Sequence, residues 1–547
     1  MKIVIPMSGR GQRFLNRGYR DPKPLIQVDG QPIIAYVVGM FSPEDDFLFI
    51  CAKDHLEETS MRDVLHSLTK KCEIVAIEPH KKGPVYAVQQ TYDWIKNDEE
   101  VIVNYCDFGC YWDYADFLVH TRERRADGAI PAYRGFHPHM LGSTNYAFMR
   151  EEKQWMTAIQ EKQPFTDNRM EEFASSGTYY FRTGSIMKRF MDEAIARNLH
   201  VNGEYYVSLV YNLLLEAGLK VSIYEIQHML QWGTPEDLEE YLYHSGYFSS
   251  LIQHRPFFSP LPGTINLIPL AGEGRRFREA GYETPKPLLP VSGKPMILQA
   301  FDSYPKGRED RFVVLQQHCE AYAIDRVLSD AYPGCRIIRL AEVTEGQALT
   351  ASLGLTEDDA ECPLLIAACD NGVLMNEKDW SALLEQNKAD AVCLTFRNNP
   401  AVRANPKGYG YLVTDGNGRV TGVSVKTPIS ETPMNDHAIV AAFFFRRAAT
   451  FLEGVEALVA ANRRVNGEFY IDSLMGLLAE QGKRVFVFEV RYESWGTPND
   501  YKTYRYWQSY FHKANTHPYT IQRDPQVPEE AIKKLLAEIY DFRQAYR

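Results

Sequence analysis

Two glycines and two basic residues near the start of the chain form a pattern that suits phosphate chemistry. Gly9 and Gly11 follow the apolar run Ile3-Val4-Ile5, and Arg13 and Lys23 come soon after them. A strand that ends in a glycine loop presents backbone N–H groups to phosphates. The two basic side chains add positive charge close to that loop. We therefore expect a nucleoside triphosphate site at this point of the chain.

The same pattern occurs a second time. The four positions recur at a constant offset of 263 residues (272 − 9), as Gly272, Gly274, Arg276 and Lys286. A Trp-Gly-Thr-Pro segment repeats at the same offset, starting at Trp232 and Trp495. A repeat that keeps its charges in register predicts two similar sites in one chain. We call the two repeats the first copy and the second copy.

The repeat extends over most of the 547 residues and predicts the domain organisation. We expect four segments: a first domain over 1–253, a proline-rich linker over 254–263, a second domain over 264–517 and a C-terminal helical tail over 518–547. Each copy has the length of one α/β domain. In the tail, apolar residues at helical spacing after Pro528 predict a helix. This helix either packs on its own domain or serves oligomerisation.

Apolar runs alternate with helix-forming segments in each copy. The runs that predict strands lie at 47–50, 73–77 and 101–103, and at 312–315, 336–340 and 364–367. Strand–helix alternation is typical of the α/β class, with a mostly parallel central sheet and helices on both faces. In such sheets, ligands bind at the carboxyl ends of the strands.

One aspartate per copy stands at such a strand end. Asp107 follows the run that starts at Val101, and Asp370 follows the run that starts at Leu364. A carboxylate in this position can bind Mg²⁺ against a triphosphate. Glycines follow closely at Gly109 and Gly372, so a turn-forming role is the alternative.

A dinucleotide-binding fingerprint is the competing interpretation of the glycine loop. It requires a third glycine and an acidic residue about 20 positions further on. Phe14 and Phe277 occupy the place of that third glycine. The segment Pro22-Lys23-Pro24 also interrupts the helix that the fingerprint needs. The sequence therefore favours the triphosphate site.

Composition limits the function classes. The net charge is −11, which argues against a nucleic-acid partner. The nine cysteines contain no Cys-x-x-Cys pair, which favours a reduced cytoplasmic protein without a zinc site. The longest apolar runs, such as 33–41, are far shorter than the roughly 18 residues that indicate a membrane span.

Taken together, these motifs resemble the bacterial sugar-phosphate nucleotidyltransferases of the GT-A type. The start Ile-Pro-Met-x-Gly-x-Gly-x-Arg-Phe, followed by Gly-Tyr-x-x-Pro-Lys-Pro-Leu, is similar to the capsule-biosynthesis branch of that family. The resemblance implies two tandem GT-A/Rossmann-like domains. It also implies a reaction, dependent on Mg²⁺ or Mn²⁺, that joins a nucleoside triphosphate to a sugar 1-phosphate. The products would be a nucleotide sugar for capsule or surface polysaccharide and pyrophosphate.

The resemblance assigns roles to individual residues. Nucleotide-binding roles fall on glycines, namely Gly9, Gly11, Gly83, Gly272, Gly274 and Gly346. Catalytic charge neutralisation falls on basic residues, namely Arg13, Lys23, Arg276 and Lys286. Metal binding falls on Asp107 and Asp370. Acceptor-binding roles fall on Glu161, Lys162, Gly177, Glu204, Lys426 and Glu468.

The chain departs from the family pattern at several of its positions. The family usually has a second metal-binding aspartate where this chain has Gln231 and Ser494. Either one carboxylate suffices, or another group such as Glu225 or Glu489 replaces it. On the acceptor side, Val425 stands where the first copy has Glu161. Ala441-Ala442 likewise stands for Ser176-Gly177, a sugar-side position in the family, whereas on the nucleotide side Gln347 stands for Pro84, which lacks an N–H that could meet the base. We therefore expect the two sites to bind different acceptors.

Other functions remain open at this stage. One is a CTP-dependent cytidylyltransferase for a phospho-amino acid or phosphocholine. Another is a GT-A glycosyltransferase, although its usual Asp-x-Asp is replaced by Asp107-Phe108-Gly109 and Asp370-Asn371-Gly372. A third is a copy that only binds or regulates. The expected partners are a nucleoside triphosphate and a phosphorylated sugar or similar small molecule, and homo-oligomerisation is left open.

Overall fold

The computed structural model describes residues 1–253 and 261–540. Most of the predicted linker, 254–263, and the end of the predicted tail lie outside the described residues. The described chain divides into two compact units, residues 1–242 and residues 243–253 together with 261–540. This division falls within the helix Pro235–Leu251 and not at the predicted boundary after residue 253.

The first unit is an α/β structure. Its strands are β1 (Lys2–Met7), β2 (Gln27–Val28), β3 (Gln31–Pro32), β4 (Asp46–Ala52), β5 (Cys72–Ile77), β6 (Val101–Asn104), β7 (Phe108–Tyr111), β8 (Gly128–Tyr133), β9 (Ala147–Glu152), β10 (Trp155–Glu161), β11 (Phe173–Ser175), β12 (Thr178–Phe181), β13 (Val221–Glu225) and β14 (His228–Gln231). Its helices are α1 (Gln12–Asn16), α2 (Ile33–Val38), α3 (Lys53–Glu58), α4 (Met61–Leu68), α5 (Pro84–Gln89), α6 (Tyr114–Glu123), α7 (Gly184–Ala196), α8 (Val207–Glu216) and the beginning of α9 (Pro235–Leu251).

Ten strands of the first unit form one mixed sheet. Their order is β11-β9-β10-β13-β8-β12-β6-β1-β4-β5. Strands β6, β1, β4 and β5 are parallel neighbours, whereas β12 is antiparallel to both β6 and β8. Residues 3–5 of β1 are fully buried, as expected for a central strand that is covered on both faces. The predicted α/β class is confirmed, and the predicted parallel strands form one half of the sheet.

The second unit repeats this architecture. Its strands are β15 (Ile265–Leu270), β16 (Pro290–Val291), β17 (Lys294–Pro295), β18 (Glu309–Leu315), β19 (Arg336–Leu340), β20 (Leu364–Ile366), β21 (Asn371–Leu374), β22 (Ala391–Phe396), β23 (Gly410–Thr414), β24 (Val420–Val425), β25 (His437–Phe445), β26 (Val485–Glu489) and β27 (Arg491–Ser494). Its helices, after the end of α9, are α10 (Arg275–Glu279), α11 (Met296–Phe301), α12 (Gln316–Tyr322), α13 (Ile324–Ala331), α14 (Gln347–Ser352), α15 (Glu377–Gln386), α16 (Pro400–Ala404), α17 (Ala448–Ala460), α18 (Ile471–Glu480), α19 (Pro498–Lys513) and α20 (Glu529–Tyr540).

The main sheet of the second unit follows the order β19-β18-β15-β20-β25-β22-β26, and β23 pairs with both β24 and β25. Strands β18 and β20 are parallel to β15. Strand β25 is antiparallel to its neighbours β20 and β22. Each unit therefore has a parallel half, then one reversed strand, then a second half.

Helix α20 packs against its own unit. It begins after Pro528, as the spacing of apolar residues predicts, with Glu529 and Glu530 in its first turn. A Cβ on Gly293, in the turn between β16 and β17, would collide with Ala531 of this helix. Within the described ranges, no helix combines the length and the apolar character that crossing a membrane requires.

Candidate active sites

The glycine loop folds over the lysine in each unit. Gly11 adopts a left-handed conformation, with φ of +62°, at the start of α1. A Cβ on Gly11 would lie 3.5 Å from the Cβ of Lys23. In the second unit, Gly274 has φ of +63°, and its Cβ would lie 3.5 Å from that of Lys286. Because left-handed backbone strains residues that have a Cβ, glycine suits both positions.

The predicted catalytic lysines and metal-binding aspartates are in direct contact. Nζ of Lys23 donates to Oδ2 of Asp107 at 2.7 Å, and Nζ of Lys286 donates to Oδ2 of Asp370 at 2.7 Å. Burial alone would lower the pKa of the Lys23 ammonium, but the charge of Asp107 raises it above its ordinary value. The same balance raises the pKa of Lys286. Each unit thus places one charged ammonium and one carboxylate beside its glycine loop.

The arginines of the two loops project into solvent. Arg13 and Arg276 are exposed, and neither forms an ion pair with a residue in the described ranges. The charge of Arg13 acts on the pKa of both Lys23 and Tyr206. That of Arg276 acts on Lys286 and Tyr470. Each arginine therefore lies close enough to its lysine and to the tyrosine of the predicted acceptor side for its charge to affect both groups.

Gly83 and Gly346 bring two loops into close contact. Their φ angles are +85° and +124°. A Cβ on Gly83 would lie 2.7 Å from the backbone nitrogen of Tyr205, and one on Gly346 would lie 2.6 Å from that of Phe469. Backbone hydrogen bonds on either side of Gly83 join the loops, from Tyr205 to Lys82 at 2.9 Å and from Val85 to Tyr205 at 3.1 Å. These glycines thus allow the loop on the predicted nucleotide side to pack directly against the Asn-Gly-Glu segment of the acceptor side.

Short two-stranded antiparallel sheets place the Gly-Thr-Pro segments beside the strand-end aspartates. In the first unit, β7 pairs with β14, and in the second, β21 pairs with β27. A Cβ on Gly233 would lie 3.0 Å from Nε2 of Gln231 and 3.2 Å from Oδ2 of Asp107. A Cβ on Gly496 would lie 3.1 Å from Oδ2 of Asp370 and 3.6 Å from Oγ of Ser494. Gln231 and Ser494 therefore lie next to the carboxylates, as expected for the position of a second metal ligand.

The suggested replacement ligands are engaged elsewhere. Glu225 accepts from Arg134 at 3.1 Å and 3.3 Å, and Glu489 accepts from Arg397 at 2.6 Å. Among the described residues, no three His, Cys, Asp or Glu side chains come together as a metal-binding group. Mg²⁺ commonly takes only one or two protein carboxylates and completes its shell with phosphates and water. One aspartate beside a triphosphate loop is compatible with that mode.

The acceptor residues of the first unit form a connected cluster. Glu161 ends β10, and Lys162 follows it with φ of +60°. Lys162 donates to the hydroxyl of Tyr206 at 2.6 Å, and that hydroxyl donates to Glu204. Glu161 accepts from the hydroxyl of Ser208 at 2.6 Å. Burial raises the pKa of Glu161, while Ser208 and the charge of Lys162 oppose this shift.

The acceptor cluster of the second unit is arranged differently. Lys426 has φ of +59°, like its counterpart, but its ammonium donates to the carbonyl of Gly408. Tyr470 follows Glu468 by two residues, as Tyr206 follows Glu204, and burial together with the neighbouring Glu468 raises the pKa of the Tyr470 hydroxyl. Burial lowers the pKa of Lys426, and Asp472 is the largest influence that opposes this shift. The predicted acceptor residues therefore cluster in both units, although the lysines have different partners.

The structure shifts one predicted correspondence by a residue. Gly177 has φ of +99°, and its Cβ would lie 3.1 Å from the ring of Phe108. The residue with left-handed backbone at the matching place in β25 is Ala441, with φ of +63°. Ser176-Gly177 thus corresponds to Val440-Ala441, and the pairing with Ala441-Ala442 is wrong. The insertion that changes the offset between the copies precedes this segment.

Sequence reasoning missed four residues of the clusters, namely Tyr206 and Ser208 in the first unit and Tyr470 and Asp472 in the second. Tyr206 and Tyr470 are the final residues of the Asn-Gly-Glu-aromatic-Tyr motif that supplied Glu204 and Glu468. Their place in the motif is a signal that could have found them. Asp472 gives no such signal, because its first-copy counterpart is Ser208. Only the packing of a helix against a strand identifies it.

Comparison with known proteins agrees with this geometry. The family described as "MobA-like NTP transferase domain" matches residues 3–168 and 267–488. These two ranges make up most of the chain, and the chain belongs to this family of nucleotidyltransferases. The resemblance inferred from the motifs is confirmed at this level, with the domain present twice.

Individual relatives are distant. The "Bifunctional protein GlmU" of Rhodopseudomonas palustris (strain BisB5) is 27% identical over 231 residues, which cover 41% of this chain and 48% of that protein. The chain thus spans about half the length of this relative. The "UTP--glucose-1-phosphate uridylyltransferase AglF" of Haloferax volcanii is 26% identical over 234 residues, covering 42% of this chain and 90% of that protein. A solved nucleoside-diphosphate-sugar pyrophosphorylase from Vibrio cholerae RC9 matches with a TM-score of 0.37 and 22% identity, over 44% of this chain and 99% of its own.

Proposed function

We propose that the chain is a nucleotidyltransferase with two active sites, one in each copy. Each site joins a nucleoside triphosphate to a sugar 1-phosphate, or to another phosphorylated acceptor, and releases pyrophosphate. The supporting observation is that both units place the same lysine–aspartate pair, at the same 2.7 Å distance, beneath the same glycine loop. We infer that the products serve capsule or surface polysaccharide synthesis. This follows from the motif resemblance.

The reaction requires positioning and charge neutralisation. A phosphate oxygen of the acceptor attacks the α-phosphorus in line, a new P–O bond forms, and the bond to the β-phosphate oxygen breaks. Lys23 and Arg13, or Lys286 and Arg276, neutralise the negative charge that develops on the transferred phosphate and the departing pyrophosphate. Lys162 or Lys426 orients the acceptor's phosphate for attack. No covalent protein intermediate is needed.

Asp107 and Asp370 are the residues that would bind the metal ion. Mg²⁺ or Mn²⁺ would neutralise charge on the triphosphate when bound. The hydrogen bond between each aspartate and its lysine fixes the direction of the carboxylate before a ligand enters. Gln231 lies beside Asp107, whereas the hydroxyl of Ser494 already donates to Asp500 at 3.1 Å.

We infer the domain organisation and the cellular compartment from the sequence. We propose nucleotidyltransferase domains over 1–253 and 264–517, the linker 254–263 between them and the tail 518–547. We place the enzyme in the cytoplasm, since all nine cysteines lie in the described ranges and are free thiols. The strand-end sequences Asp107-Phe108-Gly109 and Asp370-Asn371-Gly372 lack the Asp-x-Asp of a glycosyltransferase.

Pyrophosphate release tests the proposal. Four nucleoside triphosphates are each mixed with α-D-glucose 1-phosphate, phosphoserine or phosphocholine, in the presence of Mg²⁺. We expect at least one pair to release pyrophosphate with formation of the nucleotide-linked acceptor, and excess EDTA to stop the release. Hydrolysis of the triphosphate without a joined product would favour a different enzyme. No release from any pair would remove the support for a transferase.

A further inference from the structure

The two acceptor clusters place a carboxylate on different secondary structure elements. In the first unit, Glu161 at the end of β10 accepts from Ser208, the second residue of α8. In the second unit, the end of β24 is Val425, and the second residue of α18 is Asp472. The second unit thus has no acid on the strand but has one on the facing helix. The carboxylate lies on the strand in the first unit and on the helix in the second.

A third position changes together with these two. Ala147 on β9 pairs with Glu161, and its counterpart Gly410 on β23 pairs with Val425. A Cβ on Gly410 would collide with the carboxylate of Asp472. The missing methyl group makes the space that the Asp472 carboxylate occupies. The exchange thus involves three positions in contact, which a random surface change would not require.

The burial of Asp472 distinguishes it from an ordinary helix-capping acid. Acidic residues in a first helical turn usually lie in solvent, where the helix dipole favours them, but Asp472 is only 7% exposed. Burial raises its pKa to about 6, opposed by Lys426 and by a hydrogen bond from its own backbone N–H. No side chain in the described ranges donates a hydrogen bond to it. A buried carboxylate with free acceptor capacity is costly unless a ligand uses it.

The surroundings of Asp472 belong to the acceptor side. Its charge acts on Lys426 and on Tyr470, both of which also feel the charge of Arg276 from the glycine loop. Val440 and Ala441 replace Ser176 and Gly177 near this place, which makes the wall less polar. The second site therefore combines the Lys426 ammonium, which can bind a phosphate, with the Asp472 carboxylate, which can accept a hydrogen bond from the ligand.

We propose that Asp472 binds the acceptor of the second site, taking over from the strand carboxylate Glu161 of the first. It accepts a hydrogen bond from a hydroxyl or ammonium group that lies beside the phosphate on Lys426. This inference rests on the proposed function, since it assumes a phosphorylated acceptor. Because the carboxylate is shorter and enters from the helix, the second site takes an acceptor of different shape from the first.

Kinetics on the second site test the proposal. All variants carry Lys162→Ala, which removes the first acceptor site. We expect Asp472→Ser to raise the KM for the second-site acceptor roughly 10- to 100-fold, as for a hydrogen bond to a charged group, with the KM for the triphosphate unchanged. Glu480→Gln, an exposed carboxylate at the far end of the same helix, should change neither value.

A reciprocal exchange makes the test sharper. The triple variant Asp472→Ser, Val425→Glu and Gly410→Ala rebuilds the first-site arrangement in the second unit. We expect it to bind the first-site acceptor better than Asp472→Ser alone does. An unchanged acceptor KM in Asp472→Ser, in a protein that melts no lower than the wild type, would overturn the proposal.

A binding measurement separates failure of this inference from failure of the proposed function. Calorimetry with O-phosphoethanolamine and with α-D-glucose 1-phosphate compares the Lys162→Ala chain with and without Asp472→Ser. We expect at least one probe to bind, and Asp472→Ser to weaken it about tenfold or more. If pyrophosphate is never released but Asp472→Ser weakens binding of a probe, the proposed reaction is wrong, whereas the assignment of Asp472 to the binding site holds. Equal binding by the two chains, or no binding of either probe, would overturn the inference.

Discussion

At the scale of single residues, the Asp472 carboxylate should make the stability of the second unit depend on pH. Its pKa is raised to about 6, so the folded chain binds more protons than the unfolded chain between roughly pH 4 and 6. The free energy of unfolding of the second unit therefore falls as pH rises through that range. We expect Asp472→Asn to raise the melting temperature of this unit by several degrees at pH 8, for a gain of at most about 3 kcal/mol, and to change it little at pH 4.

Thermal melts at the two pH values provide the check, with Glu480→Gln as the matched control on the same helix. Lys426 is the facing cation and remains in both proteins. A residue that lowers the stability of the fold is expected at a functional site. Asp472 would be such a residue, and it fits the space that Gly410 leaves free. If Asp472→Asn is less stable than the wild type at pH 8, the carboxylate is instead a stabilising part of the fold.

The chemistry of single residues was largely predictable, but their pairing was not. The motifs identified Lys23 and Asp107 as separate functional residues. Their hydrogen bond joins positions 84 residues apart, and only the sheet brings these together. The sequence likewise shows that Val425 lacks the acid of Glu161. That Asp472 supplies one required knowing which helix faces which strand.

At the scale of elements, each site depends on a close contact between two loops. In the second unit, this contact joins Gly346 on the nucleotide side to the loop of Phe469 on the acceptor side. Gly346 has φ of +124° and lies against the backbone of Phe469, where a Cβ would approach to 2.6 Å. We expect Gly346→Ala to separate the two loops and to destabilise the second unit by about 1–3 kcal/mol, as for a residue forced into strained backbone. Gly83→Ala should do the same in the first unit.

Gly272→Ala is the matched comparison. No heavy atom lies within 4 Å of a Cβ placed on Gly272 or on Gly9. We expect this variant to melt like the wild type while losing triphosphate binding at the second site, because the added methyl group would meet the phosphate. Calorimetric melts and nucleotide titration distinguish the two glycines. Equal melting temperatures for Gly346→Ala and wild type would show that the loop contact is not tight.

Element prediction succeeded in the parallel half of each sheet and missed the reversed strand. The predicted runs at 47–50, 73–77 and 101–103 lie in β4, β5 and β6, which all run in the same direction as β1. Strand β12 is as apolar and as buried as its neighbours. A strand that is covered on both faces shows no sequence sign of its direction, since either direction buries the same side chains.

In the molecule as a whole, the proposed function requires two sites that each work alone. The repeat at an offset of 263 residues predicted two copies, and the family match covers both. The place where the compact units divide was not predictable, because α9 continues without a break across residue 242. The apolar and aromatic residues of its end, such as Tyr247 and Phe248, belong to the second unit.

Separate inactivation of Lys23 and Lys286 tests whether the two sites work independently. Lys23→Ala and Lys286→Ala are each assayed for pyrophosphate release with every triphosphate and acceptor pair, beside Lys71→Ala, which removes only an exposed lysine bonded to Glu44. Loss of a charged contact to the transferred phosphate should lower the rate about 10²–10³-fold. We expect each variant to lose one reaction and keep another, with wild-type melting temperatures and an unaffected control. If one variant loses every reaction while the other loses none, the two-site account is wrong and one copy serves only to bind.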